Sequence, residues 1–99
     1  MRILHVLDHG LPLQSGYTFR TRAILTSQMR RGHVVAAVTG PRQGATGAAF
    51  EQVDGIDFHR TTLPPAAPAP MGEWREINAF ARRIDAVVRQ FRPDVLHAH

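Results

Sequence analysis

Apolar and polar positions along this chain follow two periods, one typical of buried strands and the other of helices. Residues 3–7 form a short apolar run closed by polar residues, as expected of a strand that is buried on both faces. Residues 10–16 are turn-forming, and residues 17–31 contain neither proline nor glycine, so a loop leading into a helix is predicted. One arc of that helix should hold the packing residues, with Ile24 outside it: Phe19, Ala23, Leu25 and Met29.

Glycine and proline mark the limits of the next elements. Gly32 ends the first helix, and the β-branched run at 33–39 predicts a second strand. In residues 53–60, apolar residues flank an Asp-Gly turn signal, so a small strand or hairpin is expected. Residues 61–72 hold four prolines and predict an extended loop with polyproline character.

The clearest periodicity lies in the last third of the chain. Apolar residues recur there at steps of three and four, with arginines mostly off the stripe, which predicts a helix that Pro93 ends. Trp74 heads this stripe and is predicted to be a packing residue. Residues 95–99 then predict a final strand. The stripe consists of Trp74, Ile77, Ala81, Ile84, Val88 and Phe91.

Strand, helix and strand joined by short connections imply a right-handed crossover and a parallel strand pair. The sequence therefore predicts an α/β fold, a partial doubly wound, Rossmann-like parallel sheet of order 3-2-1-4 with flanking helices. The loop after the first strand and the end of the fourth strand would then meet at the carboxyl edge, where such folds bind ligands.

Composition narrows the class of protein. The 99 residues suffice for at most one domain. The twelve basic residues are all arginine, and the net charge of +4 favours anionic partners such as nucleotide or lipid phosphates. Nucleic acid is not expected, because the arginines are scattered and not interleaved with aromatic residues. Without cysteine or an exporting segment, a cytoplasmic protein is expected, with peripheral contact at an anionic inner membrane surface as an open alternative.

Two groups of residues could carry chemistry. A glycine at a helix amino end lets a phosphate approach free backbone amides, which makes Gly16 the candidate phosphate ligand. His97 and His99 share one strand face and could contact a ligand; no third metal ligand is apparent beside them, so neither a metal nor a cofactor is predicted. Arg20 could reach an anion or lie on a solvated helix face, and mid-strand His5 is predicted to be a core histidine. No catalytic triad or acid pair is evident.

Taken together, these segments resemble the first half of the amino-terminal, acceptor-side domain of retaining, nucleotide-sugar-dependent glycosyltransferases of family 4, which have the two-domain GT-B fold. The resemblance spans the whole chain and is carried by MRILHVLDH, SGYTFRTRAIL, RGHVVAAVTGP, VDGIDFHR and RPDVLHAH. The segment HGLPLQSGYTFRTRAIL also resembles the corresponding segment of the subgroup that is encoded beside exosortase and exopolysaccharide genes.

The resemblance implies roles for particular residues. Family members have two glycines in the first loop; Ser15 stands where the first is common, and Gly16 matches the second, which contacts the diphosphate of the donor. The acceptor site is implied for Tyr17, Thr18, Arg20 and His99.

The resemblance also implies that residues 1–99 are a partial domain. The catalytic histidine of the family and the donor-binding carboxyl-terminal domain have no counterpart in these residues, so we assign no catalytic residue and expect the chain to be inactive alone. The full enzyme would move a hexose to a lipid-linked or polysaccharide acceptor. The alternative is a non-catalytic α/β binding module, while a nicotinamide-dependent oxidoreductase is disfavoured because the G-x-G-x-x-G fingerprint is absent.

Overall fold

The computed structural model describes residues 1–7, 16–41, 49–61 and 71–99. This part of the chain forms one mixed sheet with helices on both of its faces. In chain order the elements are β1 (Arg2–Leu7), α1 (Gly16–Arg30), β2 (Val34–Thr39), β3 (Phe50–Val53), β4 (Ile56–Arg60), α2 (Met71–Phe91) and β5 (Val95–Ala98).

The sheet has five strands in the order β3-β4-β2-β1-β5. Strand β1 lies between β2 and β5 and is parallel to both, β4 is parallel to β2, and β3 is antiparallel to β4. The α/β class and the parallel pairs were predicted correctly. The four-strand order 3-2-1-4 was wrong because the third predicted strand is a hairpin, which adds an edge strand. Asp54 and Gly55 form its two-residue turn with φ of 53° and 78°, the left-handed values that this tight turn requires.

Helix α1 ends at the predicted glycine. The amide of Gly32 donates to the carbonyl oxygen of Met29 at 3.0 Å, and the amide of His33 donates to that of Gln28 at 3.2 Å. This pair of bonds is a Schellman motif, which needs a left-handed residue at its turn, and Gly32 has a φ of 88°. The short turn leads directly into Val34 at the start of β2.

The face of the sheet covered by α1 holds the larger core. Leu25 is fully buried there, and Ile24 and Met29 pack against the same cluster, while Phe19 and Ala23 are exposed. The predicted arc was therefore wrong for Phe19 and Ala23, because the buried face of α1 is centred on Thr21 and Leu25 and includes the half-buried Gln28. The buried members of the cluster are Leu7, Leu25, Val35, Ala37, Ile56 and Phe58.

Helix α2 covers the opposite face through the middle and end of its length. Val87 is fully buried against strand residues, and four partly buried side chains of α2 flank it: Phe80, Ile84, Val88 and Phe91. Trp74 and Ile77 remain 64% and 62% exposed, so the prediction that Trp74 packs was wrong. The first turns of α2 thus present apolar side chains to solvent. Among the described helices, none is both long enough and apolar enough to cross a bilayer.

Arg2 ties the end of α2 to the start of β1. Its guanidinium donates to the carbonyl oxygen of Phe91 from both Nε and Nη2, at 2.9 and 2.6 Å, and lies over the Phe91 ring. A cation at the carboxyl end of a helix is favourable because the last carbonyls carry partial negative charge. The backbone amide of Arg2 donates to a carboxylate oxygen of Asp94, and the amide of Asp94 donates to the carbonyl oxygen of Arg2. These bonds fix where β5 begins and therefore its register against β1.

Candidate functional site

The carboxyl ends of four parallel strands meet at one edge of the sheet. The amide of Gly40, just beyond β2, donates to the carbonyl oxygen of Leu7 at 3.0 Å, and the amide of His99, just beyond β5, donates to that of Val6 at 3.1 Å. The hydroxyl of Thr61 donates to the carbonyl oxygen of Thr39 at 2.8 Å. Strand pairing therefore continues up to the edge where an α/β sheet of this kind binds ligands.

Helix α1 begins near the carboxyl edge of the sheet. Its last turn leads through Gly32 into the start of β2, at the amino edge, so α1 runs antiparallel to β1 and β2. Fifteen residues span about 22 Å, roughly the length of the six-residue strands. Gly16, the first residue of α1, thus begins the helix toward the carboxyl edge, where free amides and the helix dipole favour an anion.

The other predicted site residues are only partly described. Ser15 and the side chains of Tyr17 and Thr18 lie outside the described part, so their predicted roles stay predictions. Arg20 is exposed on α1. Arg22 forms an ion pair at 3.3 Å with Asp54 in the β3–β4 turn, and both side chains are about half exposed. The guanidinium of Arg22 therefore points toward the hairpin, at the opposite end of β4 from the carboxyl edge.

A cluster of three imidazoles lies beside this edge on the α1 face. His5 and His97 are direct partners in the β1–β5 register, and His99 follows two residues later on the same face. His5 Nδ1 lies 2.8 Å from His99 Nε2, and His5 Nε2 lies 2.7 Å from Gln28 Oε1. The rings of His97 and His99 stack with centroids 4.3 Å apart. We call these three histidines the imidazole cluster.

Burial sets the protonation state of His5, and its hydrogen bonds set its tautomer. Its side chain is completely buried, and burial is the main reason that the pKa of His5 is lowered from 6.5 to about 4; the nearby His99 and His97 lower it further, against the opposing effect of the Gln28 bond. The pKa of His99 is also lowered, mainly by partial burial and to a smaller extent by the nearby His97. His5 is therefore neutral at pH 7 and, with Nε2–H donating to Gln28, keeps a lone pair on Nδ1. The prediction that His5 is a satisfied core histidine is confirmed.

A buried guanidinium, which the sequence reasoning did not single out, lies at the far side of the same edge. Arg60, the last residue of β4, is 2% exposed, and its Nε donates to Glu51 at 3.1 Å. The alternation of β4 places it on the face of Ile56 and Phe58, which was the available signal. Strand β2 separates β4 from β1, which carries His5, and β2 and β1 together separate β4 from β5. At strand spacings of about 4.8 Å, the backbone of β4 is therefore about 10 Å from that of β1 and about 14 Å from that of β5.

Comparison with known protein families decides the class. Residues 15–99 match the model of the glycosyl transferase 4-like domain, and the match covers both helices and every strand after β1. The chain belongs to this family. No curated protein and no solved structure matches it significantly.

Membership in the glycosyl transferase 4-like family confirms the predicted glycosyltransferase class in general. A domain of this class works on a sugar donor and an acceptor, which agrees with a ligand-binding edge on a Rossmann-like sheet. The more specific assignments, including the exosortase-associated subgroup, stay predictions.

Proposed function

We propose that this chain forms part of the acceptor-side domain of a retaining glycosyltransferase that moves a sugar from a nucleotide-diphosphate donor to a lipid-linked or polysaccharide acceptor. The observation that carries the proposal is the family match over residues 15–99 on a sheet whose carboxyl edge is flanked by the start of α1. The exopolysaccharide context rests on the resemblance of residues 9–25 alone.

Gly16 would hold the diphosphate of the donor. A diphosphate needs several hydrogen-bond donors in a small space, and the first amides of a 15-residue helix supply them without a side chain in the way. The helix dipole adds about half a positive charge at the same point. Ser15 would add a hydroxyl in place of the glycine common in the family.

The acceptor would bind between the first turn of α1 and the end of β5. Arg20 is exposed and can pair with an acceptor phosphate, and His99 is exposed at the strand end, where a neutral imidazole can hydrogen-bond to a sugar hydroxyl. Tyr17 and Thr18 complete the set of proposed acceptor residues. Transition-state charge in such a cleft must be met from both sides, so we expect no transfer by the 99-residue chain without a donor-binding domain.

The experiment is a binding study on protein that carries this domain together with its donor-binding domain. UDP- and GDP-sugars are added, and amide hydrogen exchange is followed at Gly16 and the next residues. Protection there, lost in Gly16→Val but kept in Gly72→Val, supports the proposal, because Gly72 occupies the equivalent first turn of α2. Exchange that is indifferent to every nucleotide sugar contradicts it and leaves the non-catalytic binding module as the better account.

Peripheral contact with an anionic membrane is the second element of the proposal. Met71, Trp74 and Ile77 are all more than 60% exposed at the start of α2, and the exposed Arg75 and Arg82 lie on the same helix. Tryptophan beside arginine is typical of helices that lie at a lipid interface. Sedimentation with anionic vesicles should depend on Trp74 and weaken in salt, whereas equal binding to neutral vesicles, or none, contradicts this element.

A further inference from the structure

We propose that His5, His97 and His99 form a binding site for a single Zn²⁺ ion. Their ligand nitrogens all lie within 4.8 Å of one another. The inference shares His99 with the proposed acceptor site, but it rests only on the geometry and chemistry of the imidazole cluster and not on glycosyl transfer.

The present distances are close to those of a metal site. Two nitrogens at about 2.0–2.1 Å from a tetrahedral Zn²⁺ are about 3.4 Å apart. His5 Nδ1 and His99 Nε2 are 2.8 Å apart, so this pair must separate by about 0.6 Å, and no other pair must approach by more than about 1.4 Å. Rotations of the exposed His97 and His99 rings can supply both changes, while His5 stays fixed.

Gln28 prepares His5 for this role. Its Oε1 accepts the proton of His5 Nε2 at 2.7 Å, which leaves the Nδ1 lone pair directed at His99 and the cluster. Metal-binding histidines commonly donate their second ring N–H to an oxygen in this way, because the bond fixes both the tautomer and the ring orientation. Gln28 is therefore a positioning residue, held in the last turn of α1, where its carbonyl oxygen takes part in the Schellman motif.

The donor set selects the class of metal. Three imidazoles, with no carboxylate grouped with them among the described residues, suit Zn²⁺ and disfavour Mg²⁺ or Ca²⁺, which need oxygen ligands. Three protein ligands leave the fourth tetrahedral position for water or a ligand oxygen. Since His5 is buried and the other two histidines are exposed, that open position faces solvent.

The test is a Zn²⁺ titration of the untagged 99-residue chain by calorimetry, with Co²⁺ as a spectroscopic probe. We expect one ion per chain and the visible absorption of four-coordinate Co²⁺. His97→Ala, which removes an exposed ligand, should abolish the Co²⁺ spectrum and weaken binding at least tenfold. Gln28→Ala should weaken binding by about 10- to 100-fold, as loss of an orienting residue does.

The matched control is His33→Ala, because His33 Nδ1 lies 3.1 Å from the amino-terminal nitrogen of Met1 and could bind a metal by itself. Zn²⁺ binding should be unchanged in this variant. Circular dichroism of each variant reports whether it is folded, and His97 is chosen over buried His5 for that reason. Absence of binding at millimolar Zn²⁺, binding unaffected by His97→Ala, or binding lost in His33→Ala would each overturn the proposal.

Discussion

The docking of α2 on the sheet can be tested by comparing two substitutions on the same helix. Val87 is fully buried against Leu4, Ala36 and Val38, whereas Ile77, ten residues earlier, is 62% exposed. The sequence stripe included Ile77 and omitted Val87. Comparing Val87→Ala with Ile77→Ala therefore shows which of the two side chains stabilises the packing of α2 on the sheet.

The expected magnitudes differ clearly. Val87→Ala removes two methyl groups, about 1.6 kcal/mol at about 0.8 kcal/mol for each buried carbon. The cavity left between helix and sheet raises the loss to about 2–3 kcal/mol of unfolding free energy. Ile77→Ala should stay within about 0.5 kcal/mol, since the side chain is mostly in water and alanine favours the helix.

The assay is urea unfolding followed by far-ultraviolet circular dichroism, supported by thermal melts. For a chain of this size, a loss of about 2–3 kcal/mol lowers the melting temperature by about 10 °C or more. An unchanged m-value would show that the denatured state is the same in both variants. Equal losses for Ile77→Ala and Val87→Ala, or a loss below about 0.5 kcal/mol for Val87→Ala, would refute the packing of α2 described above.

Three further predictions concern single residues. Gly32→Ala should cost about 1–2 kcal/mol in urea unfolding, because its φ of 88° strains any side chain; an unchanged midpoint contradicts the Schellman ending. Trp74 should emit as a water-exposed indole and be quenched by acrylamide in the folded protein; a blue-shifted, protected emission contradicts its exposure. Burial lowers the pKa of His59, the charge of Arg83 lowers it further, and the charge of Asp57 opposes both effects. The contribution of His59 to stability should therefore fall as pH drops below 6.5. In Arg83→Gln, the pKa of His59 measured by NMR should rise toward 6.5, and a lower value would contradict this account.

Local sequence was enough to predict most of the elements. The limits of β1, β2 and α2 agree with the predicted ones within a few residues, since glycine and proline act on the backbone of their immediate neighbours. Gly32 illustrates this: glycine readily adopts the left-handed backbone that ends α1. The hairpin at Asp54 and Gly55 was likewise signalled by the dipeptide alone, although not the strand that it adds to the sheet.

Tertiary structure alone decided which apolar residues are buried on the helices. Apolar residues at steps of three and four show which face of a helix is apolar, but not how much of its length the sheet covers. On α2, Trp74 and Ile77 belong to the apolar stripe and are nevertheless exposed to solvent. On α1, the buried face includes Gln28, a polar residue that a hydrophobic count places outside. Its partner His5 lies 23 residues away in sequence.

The amino-acid sequence by itself determined the class of fold and the ends of its elements, because these depend on neighbouring residues. It also determined the likeness to a glycosyltransferase family, because that likeness depends on the residues of short sequence motifs. The imidazole cluster was decided by the strand order. His5 and His99 are 94 residues apart and meet only because β5 pairs with β1 in the register fixed by Arg2 and Asp94. Strand pairing acts between distant segments through backbone bonds common to every residue type, so no local pattern records it.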